Sequence, residues 1–171
     1  MASVLCDSLS TKIREQIDRT TRLIGLVPVD RLDWTPGYPG AWRVDALLGH
    51  LLDCLAGFCA VLFAMERERL AHFERLRSLP VNRACSPEDA LRSIAVYRKH
   101  LDEGFALLSD EDLGRAIPTV FVPGGEPALT LLLGNLEHLI NHKHQLFTYL
   151  KEMGVELGTS DLYHLRGAAL S

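Results

Sequence analysis

The sequence lacks any sustained alternation of apolar and polar residues, which is the pattern that marks a β-strand. It also lacks internal repeats and low-complexity segments. Apolar residues recur instead at helical spacing in four segments, and 47% of the 171 residues are hydrophobic, which is enough to bury one core. We therefore predict an all-α fold in which residues 1–171 form a single helical-bundle domain.

Paired cysteines and an excess of basic residues are also missing. The four cysteines form no CxxC pair and follow no segment that resembles a secretory signal, so we expect reduced thiols and a cytoplasmic protein. The formal net charge of -4 provides no general attraction to phosphate backbones. We therefore expect no direct contact with nucleic acid.

One long apolar run is present, with the sequence ALLGHLLDCLAGFCAVLFAM at residues 46–65. It approaches the roughly 20 apolar residues that a membrane-spanning helix needs. His50 and Asp53 lie inside the run, and each would be costly in lipid. We therefore interpret the run as a buried helix of a bundle and expect no membrane association.

Four helices are predicted, and their limits are about Ser3 to Leu26, Trp42 to Pro80, Ser86 to Leu108, and Ala128 to Met153. Ser86, Pro87 and Asp89 give the third helix a predicted cap, and Gly154 is the expected stop of the fourth. A long connection with three prolines and three glycines precedes the fourth helix.

The fourth helix carries three histidines within seven positions, namely His138, His142 and His144. Residues four apart on an α-helix differ by only about 40° around the axis and lie ~6 Å apart along it, so His138 and His142 can reach one metal ion. His144 lies about 200° from His142 and points elsewhere, so we expect a surface or crevice histidine. His50, inside the most apolar helix, needs a partner if it is buried and would complete a three-histidine site.

Two observations leave alternatives open at this point. The metalloprotease form of an HxxxH pair needs a glutamate directly after the first histidine, and Leu139 occupies that position, so the histidines could instead bond a carboxylate or a carbonyl. Small residues such as Ala46 and Gly57 share a helical stripe with His50. They either leave room for a site or permit close approach of a neighbouring helix.

Two segments resemble the DinB-like (DinB/YfiT) superfamily of helical bundles. PGAWRVDALLGHLLD, residues 39–53, resembles the segment that leads into the family's first metal histidine. HLINHKHQLFTYLKEMGV, residues 138–155, resembles its second signature, an HxxxH pair followed by a glutamine and a helix-ending glycine. Arg43 and His144 depart from the family pattern, which often has a serine and a small residue there.

The resemblance implies that His50, His138 and His142 are metal ligands and that Gln145 contacts the site from outside the ligand set. It implies a four-helix bundle of up-down-down-up topology with a long crossover loop before the last helix. It also implies homodimers and bound zinc or nickel. Some relatives are thiol transferases or isomerases that use low-molecular-weight thiols.

The residues themselves also favour this chemistry. Three neutral imidazoles suit zinc or nickel, and the absence of a carboxylate cluster argues against magnesium or calcium. Three protein ligands leave coordination positions open, as in catalytic sites. We therefore predict a metal-dependent enzyme acting on a small molecule, possible activities being thiol-dependent S-transfer or hydrolysis, with Asp53 orienting an imidazole or serving as a base. The alternative is a non-catalytic, metal-stabilised stress-response or binding module.

Overall fold

The computed structural model of the protein describes residues 3–79, 83–120 and 122–163. Its five α-helices are α1 (Val4–Ile24), α2 (Val44–Met65), α3 (Pro87–Phe105), α4 (Ala128–Glu152) and α5 (Thr159–Tyr163). The described strands are β1 (Ala116–Ile117) and β2 (Glu126–Pro127), which pair antiparallel. The four long helices confirm the predicted all-α bundle.

Contacts between helices define the direction of each one. Arg14 pairs with Asp102, and Arg98 pairs with Asp18, so α1 and α3 run antiparallel. The Cys85 amide, just before α3, donates to the Asp45 carbonyl at the start of α2, with 3.2 Å between nitrogen and oxygen. The two helices also meet at their carboxyl ends, so α2 and α3 run parallel.

The last helix returns alongside α2 in the opposite direction. Asn135 lies beside Cys54, and His142, further along α4, lies beside His50 near the start of α2. The bundle is therefore up-down-down-up. Two long connections make this topology possible, at residues 66–86 between the parallel helices and at residues 106–127 before α4.

The apolar run of α2 lies at the centre of the bundle, where it packs against both α3 and α4. By length and mean hydropathy (2.0), α2 could cross a membrane, but 56% of its most apolar window is buried inside the bundle. A central helix of a helical bundle passes the same test, because it must be apolar on nearly every side. This finding agrees with the interpretation of the run as a core helix.

The second helix is shorter than predicted and ends at Met65. Four charged residues in succession, Glu66 to Arg69, provide no apolar side chain for the core, and the helical periodicity ends with them. The chain continues as a 3-10 helix, Ala71–Ser78, which Leu70 and Phe73 fix to the core. Pro80, predicted to stop the helix, lies outside the described residues.

Other predicted helix limits are confirmed within one to three residues, the largest difference being the end of α3 at Phe105 instead of Leu108. Ser86 caps α3, because its hydroxyl oxygen accepts from the Asp89 amide at 3.1 Å and its proton is donated to the Asp89 carboxylate at 2.7 Å. Gly154 follows α4 with a φ of +85°, a left-handed conformation that favours glycine. Arg98 lies at helical spacing between the buried Ile94 and Leu101, yet its side chain pairs with Asp18 at the surface.

Candidate metal centre

The antiparallel pairing of α2 and α4 brings the three predicted ligands together. The Nε2 atom of His50 lies 2.9 Å from Nε2 of His138 and 3.1 Å from Nε2 of His142. His138 and His142 are one helical turn apart on α4, so both rings project toward α2. Within the described residues, no other group of three histidine, cysteine, aspartate or glutamate side chains converges in this way.

The outward-facing nitrogens of two rings have their own partners. Nδ1 of His142 lies 2.9 Å from Oε1 of Gln145, and Nδ1 of His50 lies 3.5 Å from Oδ2 of Asp53. An amide or carboxylate oxygen only accepts, so each contact favours a proton on Nδ1. The Nε2 atoms of these two rings then present lone pairs to the centre of the cluster. This is the usual arrangement around ligating histidines.

The donor set fits a divalent metal ion. Lone pairs converging within about 3 Å repel one another unless a proton or a cation lies between them, and one proton can link only one pair of rings. Tetrahedral nitrogen ligands at about 2.0–2.1 Å from zinc stand roughly 3.3 Å apart, close to the spacing observed here. His50, His138 and His142 are therefore the residues that would hold the ion.

Burial favours the neutral form of both α4 imidazoles. The pKa of His138 is lowered by burial and by the neighbouring His142 and His50, and Asp53 opposes this effect. The pKa of His142 is also lowered by burial; the hydrogen bond that its ring donates to Gln145 opposes this effect, and His50 adds to it. A neutral imidazole is the form that ligates a metal, so these surroundings prepare the rings for binding at neutral pH.

Trp42 covers part of the cluster and Tyr149 supports it through Gln145, and neither residue was among the predicted site residues. The Trp42 ring meets the His50 ring edge-on, with 4.3 Å between centroids, and stacks on the His142 ring at 5.5 Å. Tyr149 accepts from Nε2 of Gln145 at 2.9 Å, which fixes the orientation of that amide. Trp42 lies within the first family segment, and Tyr149 follows His142 by two helical turns. The sequence therefore contained evidence that both residues lie near the site.

A groove of about 550 Å³ lies between α2 and α4, next to His138. Its lining includes the groove residues Gly57, Val61, Glu126, Thr130, Asn135 and His138. Pockets that hold small ligands in proteins start at about 300 Å³, so the groove can accept a small molecule. His138 belongs to both the cluster and the groove wall, so the groove reaches the cluster at this residue.

Gly57 permits a close contact in the groove wall. A Cβ atom added there would lie 2.6 Å from Oδ1 of Asn135, and Nδ2 of Asn135 donates to the Cys54 carbonyl at 2.5 Å. Gly57 therefore permits the close approach of α4 to α2, which was one of the two interpretations of the small residues on the α2 stripe. Gly57 also borders the groove, so the other interpretation, that small residues leave room for a site, holds at the same position.

A family comparison agrees with this architecture. The sequence model of the DinB superfamily matches residues 12–146, which include the whole candidate metal centre. The chain belongs to the DinB superfamily. A search among curated protein sequences found no match.

Solved structures of two proteins resemble this DinB-superfamily chain. A DinB-like protein from Bacillus subtilis has a TM-score of 0.65 and 20% identity, with 88% of this chain and 96% of that chain covered. A mycothiol-dependent maleylpyruvate isomerase has a TM-score of 0.60 and 16% identity. The match covers 85% of this chain but 63% of the isomerase, so more than a third of the isomerase has no counterpart here. At these identities the likeness establishes the shared fold.

Two residues considered near the site stand apart from the ligand cluster. The Cys54 thiol points to the His50 carbonyl at 3.5 Å, and burial, together with Asp53, raises its pKa to about 12, so it remains protonated. His144 is exposed on another side of α4, where its ring stacks on Phe147 with 6.1 Å between centroids. The structure therefore separates His144 from the three convergent histidines, as predicted.

Proposed function

We propose that this DinB-superfamily protein is a metal-dependent enzyme that uses a low-molecular-weight thiol, as an S-transferase or a related isomerase does. His50, His138 and His142 would hold zinc or nickel. The observation that carries the proposal is the groove of about 550 Å³ at the edge of the histidine cluster. A metal-stabilised module without catalytic function would need no such space, because its ion could be sealed on every side.

The two sides of the cluster favour one direction of substrate approach. Trp42 covers His50 and His142, whereas His138 faces the groove, so a substrate would enter between α2 and α4. Asn135 offers an amide in the groove, and Glu126 offers a carboxylate at its margin. These groups can orient a polar small molecule beside the convergent nitrogens.

The fold of a mycothiol-dependent isomerase supports a thiol as one substrate. When bound, a divalent metal with open coordination positions would hold such a thiol as its thiolate, the nucleophilic form. Asp53 and Gln145 would keep the ligand rings in their required tautomer and orientation. Asp53 faces His50, so we assign it a positioning role rather than that of a base acting on the substrate.

We further propose that the protein works as a cytoplasmic homodimer on a small-molecule substrate, without nucleic acid or membrane partners. Light scattering at micromolar concentration tests the dimer directly. A purely monomeric species would contradict that part of the proposal while leaving the metal chemistry intact.

The cobalt-substituted protein tests the thiol directly, in a Cys54→Ser background that removes the nearest protein thiol. Addition of 2-mercaptoethanol or glutathione should produce a sulfur-to-cobalt charge-transfer band in the near ultraviolet. Thiol affinity should rise with pH until the free thiol's own pKa is passed, because the thiol loses a proton on binding.

Two variants control this experiment. The band should be absent in His142→Ala, which lacks a ligand, and retained in His144→Ala, whose ring lies outside the cluster. If millimolar thiols leave the cobalt spectrum unchanged in a protein that binds cobalt stoichiometrically, the thiol-dependent reaction is wrong and the metal-stabilised module becomes the better account.

A further inference from the structure

A buried lysine lies on the side of α4 that faces away from the histidine cluster. Lys143 is 3% exposed, and its ammonium donates to Oε1 of Gln16 on α1 at 2.8 Å. Within the described residues this is the one hydrogen bond of the Lys143 ammonium, although an ammonium group has three N–H donors. Buried ammonium groups are normally paired with a carboxylate or satisfied by several acceptors, because desolvation of an isolated charge is costly.

Charged side chains of α1 lie near Lys143. Those that act on Lys143 are Arg19, Glu15 and Lys12, which are two cations and one carboxylate. Glu15 is already engaged, because it pairs with Lys12 at 2.6 Å and also with Arg19. Arg19 is itself buried, at 7% exposure. Among these described neighbours, the carboxylate near Lys143 is therefore already shared by two other cations.

The same side chains border a pocket of about 310 Å³ between α1, α4 and α5. Lys143, Arg19, Asn141 and His144 supply polar groups to its lining, and Ile140 and Leu162 supply apolar ones. The volume is at the lower end of the range for small-ligand pockets. The pocket shares no lining residue with the groove beside His138, so the two spaces are separate.

We propose that this pocket binds a small oxyanion that carries a short apolar group, either a carboxylate or a phosphate monoester. The Lys143 ammonium and the Arg19 guanidinium would contact its oxygens, and an amide N–H of Asn141 would donate to them. Ile140 and Leu162 would cover the apolar part. The ligand would supply the negative charge that the described neighbours of Lys143 do not provide.

Calorimetric titration of the metal-free protein tests this site, because removal of the metal excludes anion binding at the histidine cluster. The probes are inorganic phosphate, acetate and butyrate, added separately in an otherwise anion-poor buffer. Saturable binding of one equivalent of phosphate or of a carboxylate is expected, and the preferred probe identifies the class. Butyrate should bind more tightly than acetate if the carboxylate is preferred, because Ile140 and Leu162 would bury its methylenes.

Two variants of α4 distinguish a built site from weak surface binding. Lys143→Met keeps the apolar stem and should reduce affinity about 10- to 100-fold, as expected for a charged hydrogen bond. Lys151→Met removes an exposed lysine from the same helix and should leave affinity unchanged. The proposal would be overturned if both variants bound the probe with equal affinity. It would also be overturned if no probe showed saturable binding at concentrations up to about 10 mM.

Amide chemical-shift mapping on the wild-type protein provides a readout that does not depend on the folding of a variant. Addition of the preferred probe should move the amide signals around Gln16, Arg19 and Asn141. Signals that move only around His50 and His138 would place the anion in the other groove and contradict the assignment.

Discussion

Two adjacent residues of α4 show how differently the bundle buries nitrogen-containing side chains. His142 faces α2, where its inward nitrogen converges with two other imidazoles and its outward nitrogen contacts Gln145. Lys143 faces α1, where one amide oxygen accepts from its ammonium. An imidazole can lose its charge near neutral pH and become a metal ligand, whereas an ammonium keeps its charge until the pH is well above 7.

Burial therefore has opposite consequences on the two sides of the helix. On the α2 side, a lowered pKa gives His138 and His142 the neutral form that a metal requires. On the α1 side, burial, aided by Arg19, lowers the pKa of Lys143 to about 8, and the side chain is still largely protonated at pH 7. The first environment favours a cation as ligand and the second favours an anion.

The largest effect should come from removing one imidazole. His50→Ala, His138→Ala and His142→Ala should each abolish stoichiometric binding of zinc or nickel, because two ligands hold a divalent ion poorly. The measurement is metal content, by elemental analysis, of protein purified without a polyhistidine tag. His144→Ala is the matched control and should retain one metal per chain. If His144→Ala lost its metal to the same extent, the metal ligands would not be confined to the α2 side of α4.

A second, smaller effect concerns the pH dependence of stability on the α1 side. Unfolded lysine stays protonated up to its ordinary pKa of 10.5, whereas folded Lys143 loses its proton near pH 8. Between these values the unfolded state binds more protons, so Lys143 makes the free energy of unfolding rise with pH, by up to about 3 kcal/mol. Lys143→Met should be more stable than the wild type below pH 8.

Denaturant unfolding of the metal-free proteins in an anion-poor buffer measures this difference. The stability advantage of Lys143→Met should narrow from pH 8 to 10, while exposed Lys151→Met should track the wild type throughout. Each variant must be compared with the wild type at the same pH, because buried cysteines with raised pKa values, such as Cys54 and Cys59, make the free energy of unfolding fall with pH above pH 9. A constant difference across this range would contradict the assigned charge of Lys143.

A third effect concerns the contact that orients His142. Gln145→Leu removes the acceptor of its Nδ1 proton and should weaken metal affinity about 10- to 100-fold, without loss of stoichiometry at saturating metal. Competition with a chromophoric chelator measures the change. Gln145→Glu restores an acceptor oxygen and should recover most of the affinity. Equal weakening in both variants would indicate a packing defect rather than a lost orienting bond.

The smallest effect separates close packing from open space within the α2–α4 groove. Gly57→Ala places a methyl group against Asn135, and overpacking of about 1–3 kcal/mol should exceed the helix-propensity gain of about 1 kcal/mol. Gly134→Ala meets no atom within 4 Å and should be neutral or slightly stabilising. Thermal unfolding of the metal-free variants provides both values, and a stabilised Gly57→Ala would contradict the described contact.

The parts of this arrangement that were predictable from sequence are those determined by local spacing. The turn between His138 and His142 fixes their shared direction, and the capping pattern at Ser86 fixes the start of α3. The position of the His50 imidazole in an apolar helix suggested that it joins them, and the family resemblance supported this, because separation along the chain does not reveal which helices become neighbours.

Features that depend on tertiary packing were missed or misplaced. The second helix ends at Met65 because the residues that follow it no longer contribute apolar side chains to the core. The sequence pattern predicted a longer helix. The buried state of Lys143 depends on α1 and on the short helix α5, which was not among the four predicted helices. Arg98 occupied a core-stripe position but finds its carboxylate partner at the surface.

The histidine cluster joins points that lie 88 and 92 residues apart in the chain. A bound ion at such a junction would act as a reversible crosslink around a loop that includes α3 and both long connections. Because these contacts can form only after α2 and α4 have met, the crosslink should mainly slow unfolding rather than accelerate folding. Metal availability would then determine how long each folded molecule survives proteolysis, independently of any catalytic turnover.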